Sequence, residues 1–273
     1  MITSSLILFF FLSRQLHTPT NILLLSLAVS DLLVGLILMP NYILLQTSCW
    51  FFSDHVCTLS NYLIFTILFT SVGDMVLISV DRYVAICDPL HYSTRVTQSR
   101  ATACVCLCWL CSFCFNTLLV KEEISQPGRY RSCYGECVLV YDIRMLYIDI
   151  VVTFIAPISA IIFLYMRVFV VAVSQLSLAL PVNKSELKAA RTLGVLVVVF
   201  LICFCPFYIL SLVGDSVLSD AFISFVVFLF YFNSCVNPLI YALFYPWFRK
   251  AVKLIVTLQI LEAEGSLKSK KYM

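Results

Sequence analysis

The sequence predicts an all-α membrane protein: a bundle of seven transmembrane helices, the first of them short. Three observations carry this. Of 273 residues, 62% are hydrophobic and 12% charged, about half the charge of a typical soluble domain. Six apolar runs reach the roughly 20 helical residues needed to cross a hydrocarbon core of about 30 Å. Lys and Arg collect on alternate connections, as the positive-inside rule requires of a multi-pass chain.

The elements follow in order as one domain, 1–273. The first run, 2–12, "ITSSLILFFFL", gives only about 16 Å of helix. It lacks the basic n-region and cleavage site of a signal peptide, and is read as the inner half of a first helix whose outer half is missing. Full spans follow at about 20–45, 57–86, 100–120, 145–173, 186–213 and 219–244. With the N-terminus outside and the C-terminus cytoplasmic, all 18 bases except Lys121, Arg129, Arg131 and Arg144 fall inside. That asymmetry predicts a plasma-membrane topology, while the net charge of +3 carries no nucleic-acid reading. Of the 13 cysteines, Cys49, Cys57, Cys133 and Cys137 fall outside, where thiols oxidise. Cys104, Cys106, Cys108, Cys111 and Cys114 crowd one span and read as small apolar packing residues rather than a metal cluster.

Polar and broken positions inside the spans are the functional candidates, because ionisable groups at membrane depth are costly. Asp31 sits near the middle of its span, and Ser71, Asn233 and Asn237 reach similar depth. Together they form either a sodium site or an ion-free hydrogen-bonded packing cluster. Pro157, Pro206 and Pro238 each remove a backbone hydrogen bond from one of the last three spans, which suits a protein that changes shape. In "SVDRYVAICDPLHY", Asp81 adjoins Arg82 at the inner face, where Glu186 begins the sixth helix. An Arg82–Glu186 bridge there would be an easily opened latch.

These residues resemble a rhodopsin-like G-protein-coupled receptor over nearly the whole chain. Asp31, Cys57, the triplet Asp81-Arg82-Tyr83, Trp109, Pro157, Pro206 and Asn237-Pro238-x-x-Tyr241 each fall on the helix where that family carries its signature. "NSCVNPLIYALFYPWF", Asn233 to Phe248, is similar to the fingerprint of trace amine-associated receptors. "QLHTPTNILLLSLAVSDLLVG", "SCWFFSDHVC" and "KAARTLGVLVVVF" resemble the same subfamily. The resemblance implies an amphipathic eighth helix at about 246–258, with Tyr245, Trp247 and Phe248 at its start, before a tail at 259–273. It also implies a Cys57–Cys137 disulfide, a Cys133 matching a subfamily cysteine whose partner in the N-terminal segment is missing here, and Phe204 where aminergic receptors carry a toggle tryptophan. Cys49 is left either free or paired with Cys133.

The resemblance also locates a departure. The third-helix aspartate that binds amines in aminergic receptors is here Ile64, eighteen positions before Arg82. Asp149, eighteen positions before Arg167 and eight before Pro157, stands at the same height, roughly 27 Å above the inner face. A group of fish trace amine-associated receptors is similar, with its anchor at that fifth-helix position. Asp149 is therefore the expected partner of a ligand ammonium; the plainer reading is an aspartate facing water near Arg144 or making a packing hydrogen bond. Ile64, Phe65, Leu68, Phe204, Phe207, Tyr208 and Tyr231 are the expected surroundings. Asp74, eight positions before Arg82, has no role in the family pattern; it is either a protonated acid bonded to a neighbouring helix or a mark of relaxed constraint.

The expected function is amine sensing, with an outward swing of the sixth helix that admits a heterotrimeric G protein of stimulatory, olfactory type near Arg82 and Leu90 and raises cyclic AMP. The alternatives are an odorant receptor of the main family and a truncated non-functional product. No nucleophile–base pair or cofactor loop stands out, so neither an enzyme nor a cofactor is expected.

Overall fold

The computed structural model of the chain describes residues 18–47, 50–125, 137, 143–177, 184–213 and 219–244. The expected first run at 2–12, the eighth helix and tail, and Cys49 and Cys133 lie outside them, as do the side chains of Glu186, Pro238 and Tyr241.

Every regular element among the described residues is helical: α1 Pro19–Leu33, α2 Met39–Thr47, α3 Asp54–Cys87, α4 Tyr92–Arg95, α5 Gln98–Leu119, α6 Lys121–Ser125, α7 Ile143–Ile150, α8 Ala156–Ser177, α9 Lys184–Val213 and α10 Asp220–Phe244. Local chemistry sets several of the ends. The Thr18 side chain accepts from the Asn21 backbone N–H, with Pro19 behind it at the first helical position. Thr97 caps α5 in the same way. α3 stops at Cys87, two residues ahead of Pro89, because proline disfavours helical backbone at the residue before it.

Two π-turns, Val34–Leu38 and Val151–Ile155, join α1 to α2 and α7 to α8. Each ends two residues before a proline, Pro40 and Pro157. A proline has no N–H to give and its ring crowds the carbonyl four residues back, so the turn ahead of it widens. The extra residue rotates everything before it about the helix axis.

Five stretches are long and apolar enough to cross a membrane: Pro19–Leu44, Asp54–Cys87, Gln98–Leu119, Ile143–Val171 and Gly194–Leu212; a shorter apolar helix covers Ala221–Asn237. α3 runs through the middle, packed on α1, α5, α8 and α9, while α10 packs on α9 and α1. The approach is close where glycines allow it. A Cβ at Gly73 would collide with Cys108 of α5, and one at Gly194 with Tyr165 of α8. Leu27, Met75, Ile78, Leu196, Phe200 and Phe204 are sealed in the shared core. Leu107, Leu110, Phe163, Phe169 and Ile202 point outward, which is stable only against lipid.

Candidate functional site

The Cys57 end of the bundle holds the amine candidate. Asp149 lies on α7 directly before the π-turn and is only 7% exposed. Thr153, inside that turn, donates its hydroxyl to the Asp149 carbonyl at 2.7 Å. The same oxygen lies 3.0 Å from the Tyr208 hydroxyl of α9. Thr153 has one hydrogen and has spent it, so Tyr208 is the donor in this second bond. A chain of two hydrogen bonds therefore ties α9 to the segment that carries Asp149.

Aromatic rings fill the space beside it. Tyr208 stacks on Phe154 with centroids 4.2 Å apart and meets Phe207 edge-on at 5.5 Å. Phe230 of α10 sits 4.4 Å from both Phe204 and Phe207. Tyr231 closes the row against Phe230 at 5.8 Å and Tyr42 at 5.7 Å. Ile64 and Leu68 of α3 pack half-buried on the bundle core that includes these rings, and Phe65 is half-buried between them in sequence. Sequence reasoning missed Thr153, Phe154, Phe230 and Tyr42. Thr153 alone had a signal, its spacing of four from Asp149; in a run as rich in aromatics as "FLFYF" nothing marks which rings point inward. On the same end Cys57 and Cys137 form a disulfide across 80 residues.

At mid-span, Asn237 of α10 donates to Asp31 of α1 at 3.1 Å and to Asn233 at 3.3 Å. Asp31 is 3% exposed. Its Oδ2 and the Oδ1 of Asn237 are buried acceptors with no protein donor among the described residues. Oxygen acceptors left over beside a carboxylate fit a hard monovalent cation. Ser71 is buried on α3.

A second polar junction joins α1, α3 and α5. The Trp109 indole donates to Ser26 at 3.1 Å, and Ser26 donates to Asp74 Oδ2 at 2.8 Å. Beside it Thr70 donates to Ser112 at 2.8 Å. Asp74 is wholly buried.

The Arg82 end is closed by a tight network. Arg82 donates through Nε to Asp81 at 3.0 Å, and through Nη2 to Asp81 and Thr20. Thr20 in turn donates to Asp81 at 2.9 Å, and the Tyr92 hydroxyl donates to its other oxygen at 2.8 Å. Burial pushes the Tyr92 hydroxyl above its ordinary range, so it stays protonated and donating. Tyr83 packs half-buried on Ile86 and Val168, and Leu90 protrudes, 88% exposed. Pro206 lies within α9. Beyond the span, Asp88 holds His91 at 2.7 Å and Arg95 at 3.0 Å. The hydrogen bond from His91, helped by the Arg95 charge, keeps the Asp88 carboxyl below the usual carboxylate range.

The family model of the 7 transmembrane receptor (rhodopsin family) matches residues 4–241. Trace amine-associated receptor 13c of Danio rerio is 37% identical over 274 residues, covering 93% of this chain and 80% of that one. Trace amine-associated receptor 7e of Rattus norvegicus is 37% identical across 93% of this chain and 77% of its own, and receptor 8b of Mus musculus 36% identical across 94% and 82%.

The chain belongs to the trace amine-associated receptors. A trace amine-associated receptor is a multi-pass membrane receptor with seven spans, not an enzyme, and it works between a small-molecule ligand and a G protein. That membership takes the place of the odorant-receptor alternative. It also gives the network at Arg82 its meaning, since this is the end where the signature triplet lies.

Proposed function

We propose that this receptor senses amines by pairing a ligand ammonium with Asp149. The observation that carries the reading is that Asp149, only 7% exposed, is tied through Thr153 to Tyr208 of the aromatic row. A buried charge demands an opposite one, and aromatic faces add cation–π attraction to a guest cation. Ile64 and Leu68 of α3, Phe204, Phe207 and Tyr208 of α9, and Tyr231 of α10 line the guest's surroundings, with Phe65 at their margin. Sodium occupies the cluster of Asp31, Asn233 and Asn237, with Ser71 as a further ligand.

Amine binding shifts the receptor toward a state in which α9 swings outward about Pro206 and α10 yields near Pro238 and Tyr241. Arg82 then leaves Asp81, Thr20 and any bridge to Glu186. The opened face around Tyr83 and Leu90 receives a stimulatory G protein of olfactory type, which raises cyclic AMP. In this orientation the N-terminus is outside the plasma membrane and the C-terminus inside.

The test is a cyclic AMP dose response to an amine panel, wild type beside Asp149→Asn at matched surface expression. Breaking a buried ion pair costs about 3–5 kcal/mol. At about 1.4 kcal/mol per decade that raises the half-maximal concentration about 100- to 3,000-fold. A shift within about threefold on that scale removes Asp149 from the role.

A further inference from the structure

We propose that Asp74 is a proton-binding site: in the resting receptor its carboxyl is a neutral acid that joins α1, α3 and α5. Three features of its surroundings lead there. The residue has no exposed surface at all. Its Oδ2 takes one hydrogen, from Ser26, while Oδ1 is buried with no partner among the described residues. Ser26 cannot compensate further, because its single hydrogen is already given and its oxygen already serves Trp109.

Among the described residues, the neighbours carry no positive charge to hold an anion. From α1 the titratable group that acts on this region is Asp31, which repels a second negative charge. From α5 it is Cys108, with Cys104 and Cys111 behind it. On α3 itself, Arg82 is engaged by Asp81 two turns away. A carboxylate in such a place keeps most of its desolvation cost, several kcal/mol, and a bound proton removes the charge. Asp31 is set in much the same way, accepting from Asn237 on Oδ1 with Oδ2 unpartnered among the described residues, so a negative charge on either acid raises the cost of one on the other. The neutral acid still accepts from Ser26, so the link through Trp109 persists while the bundle stays dry.

The experiment uses infrared spectra of the purified full chain in nanodiscs, wild type against Asp74→Asn, at neutral pH. The expected result is a C=O stretch of a protonated carboxyl, sensitive to deuterium exchange, that is lost in Asp74→Asn. Asparagine mimics the neutral acid, so this variant is expected to fold and to melt close to wild type. Asp74→Ser is the second neutral variant, should asparagine prove too wide. An unchanged protonated-carboxyl region overturns the proposal. So does failure of both neutral variants to fold where the wild type does, since that would mean the negative charge itself is needed.

Discussion

The bond between Tyr208 and Thr153 offers a sharp test of how the amine site is held. Tyr208→Phe removes one hydroxyl and leaves Thr153 still donating to the Asp149 carbonyl at 2.7 Å, so no group is stranded. Hydrogen bonds between membrane helices contribute about 0.6 kcal/mol on average and up to about 1.7. At roughly 2–4 °C per kcal/mol for a chain of this size, the melting temperature should fall by about 1–7 °C. Thr153→Val should cost more, because it deletes both the bond to the Asp149 carbonyl and the one from the buried Tyr208 hydroxyl, a loss of about 1–3 kcal/mol. The assay is a double-mutant cycle: wild type, both single variants and the double variant, purified in nanodiscs and melted under one protocol. Once Thr153 is valine the bond between the two residues is gone in either background, so the double variant should lose less than the sum of the two single losses. Strict additivity of the two losses would refute the hydrogen-bond chain.

Three further outcomes follow from other parts of the molecule. Tyr92→Phe removes a donor from the carboxylate that holds Arg82, where a bond to a charged group contributes about 1.5–3 kcal/mol; ligand-free G-protein activation should rise severalfold at matched surface expression, and an unchanged basal level counts against the network as a brake. The Asp88 carboxyl lies below its ordinary range, so the order it lends to α4 is present at neutral pH and is lost as pH falls through that depressed value. Backbone protection factors at 88–96, corrected for the intrinsic exchange rate at each pH, should therefore fall in acid, whereas Asp88→Asn should show low protection at every pH. Replacing sodium by a bulky organic cation should change agonist affinity by at least about fivefold in the wild type and leave Asp31→Asn unmoved; equal responses in both would dismiss Asp31 from a sodium site.

Much of this receptor was legible in its residues because lipid is a demanding solvent. Where water cannot satisfy the backbone, a long apolar run must be a helix, so composition and run length decide the class by themselves. The same cost makes every mid-span polar residue conspicuous, and Asp31, Asn233, Asn237 and Asp149 all stood out against their surroundings. Pairing was a different matter. Asp74 had no assigned partner in sequence because Ser26 and Trp109 lie 48 and 35 positions away, on other helices. The π-turn after Asp149 was equally hidden. Pro157 announced a break but not its form, and one added residue turns the preceding segment without changing its pattern.

The chain alone determined that it spans a membrane as helices and where its costly polar groups lie, since burial energy in lipid depends on residue type and run length. Only the tertiary structure decided which of those groups meet: Tyr208 with Thr153, Tyr92 with Asp81, Ser26 with Asp74. Hydrogen bonds are short and directional, and helix rotation and packing bring their partners together, which no spacing along one strand of sequence records.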